Sequence, residues 1–298
     1  MSAKIQNVGV LGAGQMVLGI AQVAARAGFS TTLVKATPGD AAALKDRIAA
    51  AYARDVEKGR MEAGEREAAL ARLATSGEME ALSGVDLVIE SIVEDRKRKT
   101  EAFARLDRLC PAETVFASNT STLGITELAV GTRRPERFIG LHFFNPAPAM
   151  KLVEIALTLL TAPEVATAAR EFTAALGKNP VVVRDATGFV VNRLLVPYML
   201  DAMNEWTRGT ASLADIDSAM RDGAAHPMGP FTLADFIGLD VVHEMAENLH
   251  AEYREPRFAP PPVLRRLVLA GQLGRKSKLG FYDYATKPPR PNPALAAR

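Results

Sequence analysis

Near its amino terminus the chain reads Ile5-Gln-Asn-Val-Gly-Val-Leu-Gly-Ala-Gly-Gln-Met16. Ile5 to Leu11 is a short apolar run of the kind that forms a buried strand of a parallel sheet. Gly12-Ala-Gly14 follows, and apolar residues then recur at helical spacing until Gly28. Thr31 to Val34 predicts a second strand. A strand, a glycine turn, a helix and a strand within about 30 residues are typical of a dinucleotide-binding unit.

The glycine turn predicts how this unit holds a nucleotide. Gly12 permits the tight turn, and Gly14 lets the backbone approach the pyrophosphate of the dinucleotide. The helix that follows offers its N–H groups and the positive end of its dipole to the phosphates. The chain departs from the G-x-G-x-x-G pattern at Val17, where a branched side chain must be accommodated between helix and strand. An alternative interpretation is a unit of this fold whose nucleotide affinity has weakened.

A second departure lies at the end of the second strand, where Lys35 stands. About 20 residues after the glycines, this position normally carries an acidic residue that binds the ribose 2′-OH of NAD. A lysine cannot accept those hydrogen bonds, but it can pair with the 2′-phosphate of NADP. Lys35 therefore shifts the expected cofactor from NAD towards NADP. Asp40 would substitute for the missing acid if the loop folds back.

Composition limits the classes of protein to which the chain can belong. The chain has 298 residues, of which 48% are hydrophobic, so two domains with buried cores are expected. Its 36 basic and 34 acidic residues leave a net charge of +2, which does not indicate binding to nucleic acid. Cys110 is the single cysteine, which excludes an intramolecular disulfide and fits a reducing compartment. The histidines and the cysteine form no cluster at metal-binding spacing, so no metal is expected.

No stretch of the chain predicts a membrane span. The amino terminus lacks a charged leader followed by an apolar core and a cleavage site. Residues 7–25 carry no charge, but their glycines and glutamines favour a strand, a turn and a helix instead. We therefore expect a soluble, cytoplasmic protein without a membrane partner.

The rest of the chain predicts an α/β domain followed by helices. Residues 40–82 are predicted to be helical, with a break near Lys58-Gly59. Further strands are predicted at residues 85–90, 114–117, 138–144, 153–157 and 181–183, and later helices at residues 189–208, 212–221, 233–249 and 262–270. We expect a mostly parallel, Rossmann-type sheet domain over residues 1–186 and an all-helical domain over residues 187–298. The proline-rich tail from about residue 286 is expected to be disordered.

Two polar segments are predicted at the carboxyl edge of this sheet, where open α/β sheets bind ligands. Ser118-Asn-Thr-Ser121 follows one predicted strand, although an ordinary helix N-cap would need only one of these residues. The next strand carries His142 to the same edge. Both segments are therefore candidates for a ligand site.

The stretch from Gly140 to Glu154 holds one histidine and one glutamate in apolar surroundings. An ionised carboxylate in such surroundings is costly unless it has a partner. Pro146 and Pro148 break the regular structure, so the chain can turn and bring Glu154 back beside His142. The pair would then be a general base with an orienting carboxylate. The alternative is a strand, a turn and a strand whose buried histidine merely satisfies its hydrogen bonds.

An ordered set of motifs gives the sequence a resemblance to a known family. The motifs are Gly12-Ala-Gly-Gln-Met16, Gly19-Ile-Ala-Gln22, Ser118-Asn-Thr-Ser-Thr-Leu123, His142-Phe-Phe-Asn-Pro146, Met150-Lys-Leu-Val-Glu154, Gly188-Phe-Val-Val-Asn-Arg193, His226-Pro-Met-Gly-Pro230, Gly238-Leu-Asp240 and Gly280-Phe-Tyr282. Over nearly its whole length the sequence resembles the 3-hydroxyacyl-CoA dehydrogenase family, and it is most like the short bacterial members. The glycine motif alone would be weak, whereas the ordered set is specific.

The resemblance implies reversible oxidation of a short-chain (S)-3-hydroxyacyl-CoA to the 3-ketoacyl-CoA, with hydride transfer to a nicotinamide cofactor. It makes His142 the catalytic base and Glu154 its partner. Ser121 would hydrogen-bond the C3 oxygen of the substrate. Asn192 would help to hold substrate and histidine in register, although helix capping or core hydrogen bonding is a simpler account of its amide.

The resemblance also implies which residues contact the ligands. Cofactor contacts are expected at Gly12, Gly14, Gln15, Met16, Lys35, Glu94, Lys99, Ser121, Asn145 and Lys276. Lys58 falls on a position that resembles a coenzyme A contact. NAD is the cofactor that the family implies, and Lys35 adds NADP as the alternative. The helical domain would form a homodimer, and Lys278 departs from the family pattern, which favours glycine there.

Two other kinds of function compete with this one. Some relatives of the family act on a hydroxyacid or sugar acid without coenzyme A. The chain could also be a nucleotide-binding protein without turnover, an interpretation that Val17 and Lys35 encourage. The intact set of predicted catalytic residues argues against the second alternative.

Overall fold

The computed structural model describes residues 4–35 and 40–295. The chain forms two compact units, and the boundary between them falls after Phe189, where we expected it near residue 186. The first unit is built on a sheet of eight strands, and the second is mainly helical. Among the described residues, no helix combines the length and the apolar character that crossing a bilayer requires.

The sheet of the first unit is mostly parallel. Its strands are β1 (Asn7–Leu11), β2 (Ser30–Val34), β3 (Leu73–Ser76), β4 (Leu87–Glu90), β5 (Val115–Ser118), β6 (Phe138–Phe143), β7 (Leu152–Leu157) and β8 (Asn179–Arg184). They lie in the order β3-β2-β1-β4-β5-β6-β7-β8, and only the β6–β7 pair is antiparallel. The chain reverses its direction of winding between β1 and β4. Doubly wound sheets bind ligands at the carboxyl edge of such a switch point.

Helices cover both faces of the sheet. They are α1 (Gln15–Arg26), α2 (Ala42–Glu57), α3 (Ala63–Ala71), α4 (Arg96–Leu109), α5 (Ile125–Ala129) and α6 (Pro163–Ala175). One apolar cluster contains Ile20 of α1 and Phe172 of α6, and another contains Phe103 of α4. Because the central strands are covered on both sides, β4, β5 and β6 are buried along their whole length. This explains why their sequences are continuous apolar runs.

One strand contradicts the helical prediction for residues 40–82. After α3, Leu73–Ser76 forms the edge strand β3, which pairs in parallel with β2 through Thr31 and Leu73. The four-residue segment is too short to show a period of its own in the sequence. Pairing with a strand some 40 residues earlier fixes its conformation, and such pairing overrides local helical propensity.

The second unit contains five helices among its described residues. They are α7 (Val191–Thr207), α8 (Leu213–Ala224), α9 (Pro230–Ile237), α10 (Leu239–Tyr253) and α11 (Pro262–Leu269). The single helix predicted over residues 233–249 is therefore wrong, because Gly238 separates α9 from α10. Gly238 has a φ of 107°, a conformation that residues with a side chain rarely adopt and that ends an α-helix.

The end of the second unit also corrects two expectations. Strand β9 (Tyr282–Asp283) pairs with strand β10 (Arg290–Pro291), so the unit is not entirely helical. Disorder from about residue 286 does not hold for residues 286–295. Asn292 is 1% exposed, and its amide nitrogen donates to the carbonyl of Gly280 at 2.7 Å. A buried side-chain hydrogen bond fixes this segment despite its prolines, and the expected disorder of residues 296–298 lies outside the described residues.

Candidate active site

A buried pair of titratable side chains lies in the β6–β7 hairpin. His142 and Glu154 are direct partners in the antiparallel register, so their side chains point to the same face of the sheet. His142 Nδ1 and Glu154 Oε2 are 2.8 Å apart. The prediction that the chain turns after His142 and brings Glu154 back beside it is confirmed. Asn145 lies exposed in the connection between the two strands.

The surroundings of this pair are apolar. Glu154 is 0% exposed and His142 is 6% exposed. The ring centroids of Phe144 and Phe189 lie 4.5 Å and 5.6 Å from that of His142. A carboxylate in such a setting needs a hydrogen-bonded partner, and the imidazole provides one. With Nδ1 facing the carboxylate, the tautomer that carries its proton on Nδ1 is favoured, which orients Nε2 for chemistry.

The polar segment Ser118–Thr122 lies at the same edge of the sheet. Ser118 ends β5 and pairs with Gly140 of β6. Asn119 accepts a hydrogen bond from the backbone N–H of Phe143 at 2.8 Å, and it donates one to the hydroxyl of Ser91 at 3.1 Å. Asn119 thereby ties the segment that contains Ser121 to the residue that follows His142.

Behind this segment lies a group of charges, which we call the carboxylate–lysine network: the buried Glu90 and Lys99 together with the partly exposed Glu94. The Lys99 ammonium is 2.7 Å from Glu90 Oε1 and 3.2 Å from Glu94 Oε2. Glu90 is 0% exposed and Lys99 is 1% exposed. The sequence prediction made Glu94 and Lys99 cofactor contacts and did not single out Glu90. The signal that could have found it is a carboxylate at the end of an apolar strand, which needs a partner.

Glu94 also binds the polar segment. Its Oε1 atom accepts hydrogen bonds from the hydroxyls of Thr120 and Thr122 and from the N–H of Ser121, the last at 3.3 Å. Burial alone would raise the pKa of Glu94. The Lys99 ammonium and the two threonine hydroxyls outweigh burial and hold that pKa below its usual range. Glu94 is therefore ionised at neutral pH.

A cavity of about 860 Å³ opens at the switch point of the sheet. Its lining includes residues 12–14, Lys35, residues 91–93 and Arg98. Gly14 precedes α1, and a β-carbon built on it would meet no atom within 4 Å, so the backbone is open to a ligand there. Gln15 and Met16 form the first turn of α1. These features fit a dinucleotide, because an open helix N-terminus binds phosphate groups.

Val17 is accommodated inside the unit. It is fully buried in α1. A β-carbon built on Gly12 would lie 2.6 Å from a γ-methyl of Val17 and 2.5 Å from the carbonyl oxygen of Ser91. The valine therefore occupies space that the absence of a side chain at Gly12 leaves open. The departure from the glycine pattern is compatible with the fold.

The remaining predicted site residues lie elsewhere. Asp40 accepts a hydrogen bond from the backbone N–H of Ala42 at 2.8 Å, beside the start of α2. Lys58 follows the end of α2 and is exposed. In the second unit, Asn192 lies buried in the first turn of α7. Also in that unit, Lys276 is paired with Asp240, with its ammonium 2.6 Å from Oδ2. The predicted ligand contacts of these residues stay predictions.

A doubly wound nucleotide fold with a histidine–carboxylate pair at its carboxyl edge defines a dinucleotide-dependent oxidoreductase. The family model described as 3-hydroxyacyl-CoA dehydrogenase, NAD binding domain, matches residues 7–186. The model described as 3-hydroxyacyl-CoA dehydrogenase, C-terminal domain, matches residues 188–284. The chain belongs to the 3-hydroxyacyl-CoA dehydrogenase family, and its NAD binding domain implies a nicotinamide cofactor.

Individual relatives are similar over nearly the full length. A 3-hydroxybutyryl-CoA dehydrogenase of Mycobacterium tuberculosis (strain H37Rv) is 46% identical over 286 residues, which cover 95% of this chain and 100% of the relative. The crystal structure of (S)-3-hydroxybutyryl-CoA dehydrogenase from Ralstonia eutropha has a TM-score of 0.91 at 37% identity and covers 95% of this chain and 100% of that chain. A diketoreductase structure has a TM-score of 0.81 at 31% identity and covers 94% of this chain and 99% of that chain.

Replacing Gly12 by alanine should lower stability, whereas replacing Gly14 by alanine should weaken cofactor binding. Gly12→Ala places a side chain at a φ of 144° and against the Ser91 carbonyl, so it should cost about 1–3 kcal/mol of unfolding free energy. Gly14→Ala meets open space and should fold normally. It should weaken NADH binding by roughly 10- to 100-fold, because its methyl group displaces a charge-assisted phosphate hydrogen bond.

Urea unfolding and titration of NADH fluorescence measure the two effects. Gly64→Ala in α3 is the matched control, because its β-carbon also meets no atom within 4 Å and it lies outside the cavity lining. The control should leave NADH affinity unchanged and should raise the unfolding free energy by up to about 1 kcal/mol, because alanine is favoured over glycine in a helix. Unaltered NADH affinity in Gly14→Ala would show that the pyrophosphate does not lie at this helix N-terminus.

Proposed function

We propose that this protein catalyses the reversible oxidation of a short-chain (S)-3-hydroxyacyl-CoA to the 3-ketoacyl-CoA with a nicotinamide cofactor. The observation that carries the proposal is the contact of 2.8 Å between His142 and Glu154 in an apolar setting. The pair lies at the carboxyl edge of a nucleotide-binding sheet, and the polar segment Ser118–Thr122 lies at the same edge. The names of the relatives at 46% and 37% identity support 3-hydroxybutyryl-CoA as the substrate.

The chemistry divides between the cofactor and the protein. When bound, the nicotinamide supplies the hydride acceptor for C3 of the hydroxyacyl group. His142 accepts the hydroxyl proton at Nε2, because Nδ1 is committed to Glu154. Glu154 orients the imidazole and stabilises the imidazolium that forms, which is the role of an orienting carboxylate in catalytic triads. In the reverse direction the imidazolium returns the proton to the carbonyl oxygen.

Further residues would bind and orient the substrate. Ser121 would donate a hydrogen bond to the C3 oxygen, and its backbone is held by Glu94. Asn192 would hold the substrate in register with the histidine. Lys58, an exposed cation at the end of α2, would pair with a phosphate group of coenzyme A.

The cofactor preference depends on Lys35. It lines the same cavity as the glycine turn, together with Arg98 and Arg105. The lining also contains the acids Glu78 and Glu101, so the preference rests on Lys35 itself. Its ammonium can pair with a 2′-phosphate, and it removes the acceptor for a free 2′-OH. We infer that the enzyme accepts NADPH at least as well as NADH, although the family model is described as NAD binding.

A second candidate function is reduction of a dicarbonyl compound without coenzyme A. The similarity to a diketoreductase at 31% identity is the observation that favours it. The histidine–glutamate pair would serve either substrate, because both reactions move one proton at a carbonyl oxygen. The higher identity to 3-hydroxybutyryl-CoA dehydrogenases makes the coenzyme A thioester the better supported substrate.

We further propose that the second unit mediates formation of a homodimer. Leu194, Phe236 and Leu269 of this unit are exposed, at 66%, 50% and 76% respectively. Large exposed apolar side chains of this kind are candidates for a subunit interface. Sedimentation velocity at micromolar concentration should give the mass of two chains, and a single monomeric species would contradict the proposal.

Replacing the proposed base should abolish most of the turnover while leaving cofactor binding intact. His142→Gln should lower kcat for reduction of acetoacetyl-CoA by about 10²- to 10⁴-fold, the range for loss of general acid–base catalysis. NADH affinity, measured by fluorescence, should change little. His250→Gln, a histidine in the last turn of α10, is the control and should match wild type. Near wild-type turnover of His142→Gln would exclude this histidine as the base.

Exchanging the charge at residue 35 should change the cofactor preference. Lys35→Asp should lower kcat/KM for NADPH relative to NADH by roughly 10- to 100-fold, because it removes a charge-assisted phosphate contact and restores an acceptor for the 2′-OH. Lys97→Asp makes the same charge change on an exposed side chain of α4 and serves as the control. A wild-type preference for NADH would contradict the inference about NADPH, and an unchanged ratio in Lys35→Asp would contradict the assigned role of the lysine.

A further inference from the structure

The carboxylate–lysine network occupies the core beneath the polar segment. Glu90 ends β4 and accepts three hydrogen bonds: from the Lys99 ammonium at 2.7 Å, from the Ser118 hydroxyl at 2.6 Å and from the backbone N–H of Ile92 at 2.7 Å. A buried ion pair seldom adds net stability over a well-packed apolar replacement, because both charges lose their hydration. A role in fixing one local conformation is therefore the better account of this arrangement.

The conformation that the network fixes is that of residues 118–122. Ser118 ends β5, and residues 119–122 connect that strand to the start of α5 without belonging to a strand or a helix. Ser118 is bound by Glu90, and Thr120 and Thr122 are bound by Glu94. Lys99 joins the two carboxylates. Ser121 thus lies between residues whose hydroxyls all bind the same three-residue network.

We propose that Glu90 is a positioning residue, which acts through Lys99 and Ser118 to hold Ser121 in the geometry that the reaction needs. This inference rests on the proposed function, because Ser121 matters only if it donates to a substrate oxygen. Glu90 touches no ligand itself, since it is 0% exposed. Without the charge of Glu90, Lys99 would be drawn towards Glu94 Oε2 and would shift the carboxylate whose Oε1 atom binds the threonine hydroxyls and the Ser121 N–H.

The variant Glu90→Gln keeps the shape of the side chain and removes its charge. Its amide nitrogen can face the Ser118 hydroxyl, which can accept as well as donate, so the variant removes chiefly the charge that holds Lys99 beside β4. Lys99 then moves towards Glu94, and the segment that Glu94 binds shifts with that carboxylate. A displacement of about 1 Å at a reacting group can cost roughly 100-fold in rate. We therefore expect kcat to fall by roughly 10- to 100-fold with a smaller change in KM.

A double-mutant cycle separates positioning from a general loss of structure. Glu90→Gln, Ser121→Ala and the double variant are compared with wild type on acetoacetyl-CoA, with reduced cofactor in excess. If Glu90 acts through Ser121, the double variant should lose no more than about threefold beyond Ser121→Ala alone, since coupled residues are not additive. Losses that multiply, or wild-type kcat in Glu90→Gln, would overturn the proposal.

Asp107→Asn is the matched control for stability. Asp107 is also buried in α4, and it accepts hydrogen bonds from the side chains of Arg133 and Arg134 at 2.8 Å and 2.7 Å. Its variant should lose unfolding free energy as Glu90→Gln does, but it should keep wild-type kcat. Its effect should simply multiply with that of Ser121→Ala.

A milder variant covers the case in which Glu90→Gln does not fold. Ser118→Ala removes one hydrogen bond to Glu90 and retains every charge. Its cycle with Ser121→Ala should show the same non-additivity with a smaller loss, and additive losses would overturn the proposal. Turnover by wild type is measured separately, so failure of the proposed function would be recognised by itself: the wild-type enzyme would then reduce no 3-ketoacyl-CoA with either cofactor.

Discussion

Two carboxylates at the carboxyl edge of the sheet, those of Glu90 and Glu154, are wholly withdrawn from water. Burial of a carboxylate costs several kcal/mol unless a partner and hydrogen bonds compensate, so each one dictates what surrounds it. Glu154 is bound by the imidazole of His142, a group that can serve as a general base. Glu90 is satisfied by an ammonium and a hydroxyl. The same constraint therefore underlies both the proposed reactive pair and the proposed positioning network.

The reactive pair depends on the antiparallel β6–β7 hairpin within an otherwise mostly parallel sheet. Residues His142 and Glu154 are only 12 positions apart, and two parallel neighbours would need a crossover of a dozen or more residues between the strands alone. Only a hairpin can place such residues opposite each other on one face. The reversal of β7 is thus the topological feature that brings His142 and Glu154 together.

The sequence predicted the parts of the fold that show a period or a strong break. The glycine turn, the apolar strands and the turn between His142 and Glu154 belong to this group. Strand β3 could not be predicted, because its conformation comes from pairing with β2 and leaves no pattern in four residues. The network around Glu90 could not be predicted from the sequence for a related reason. Its partners Lys99 and Ser118 lie 9 and 28 positions away, and only the neighbouring positions of β4 and β5 bring them together.

The two departures from the nucleotide motif have different physical meanings. Val17 points into the core, and its methyl group fills the space beside Gly12 that any other residue at that glycine would occupy. The exchange of glycine for valine is therefore a packing change inside the unit and does not alter the surface presented to a ligand. Lys35 lines the cavity, where its charge acts on whatever the cavity holds. Of the two substitutions, only the lysine changes the charge that a ligand in this cavity would meet.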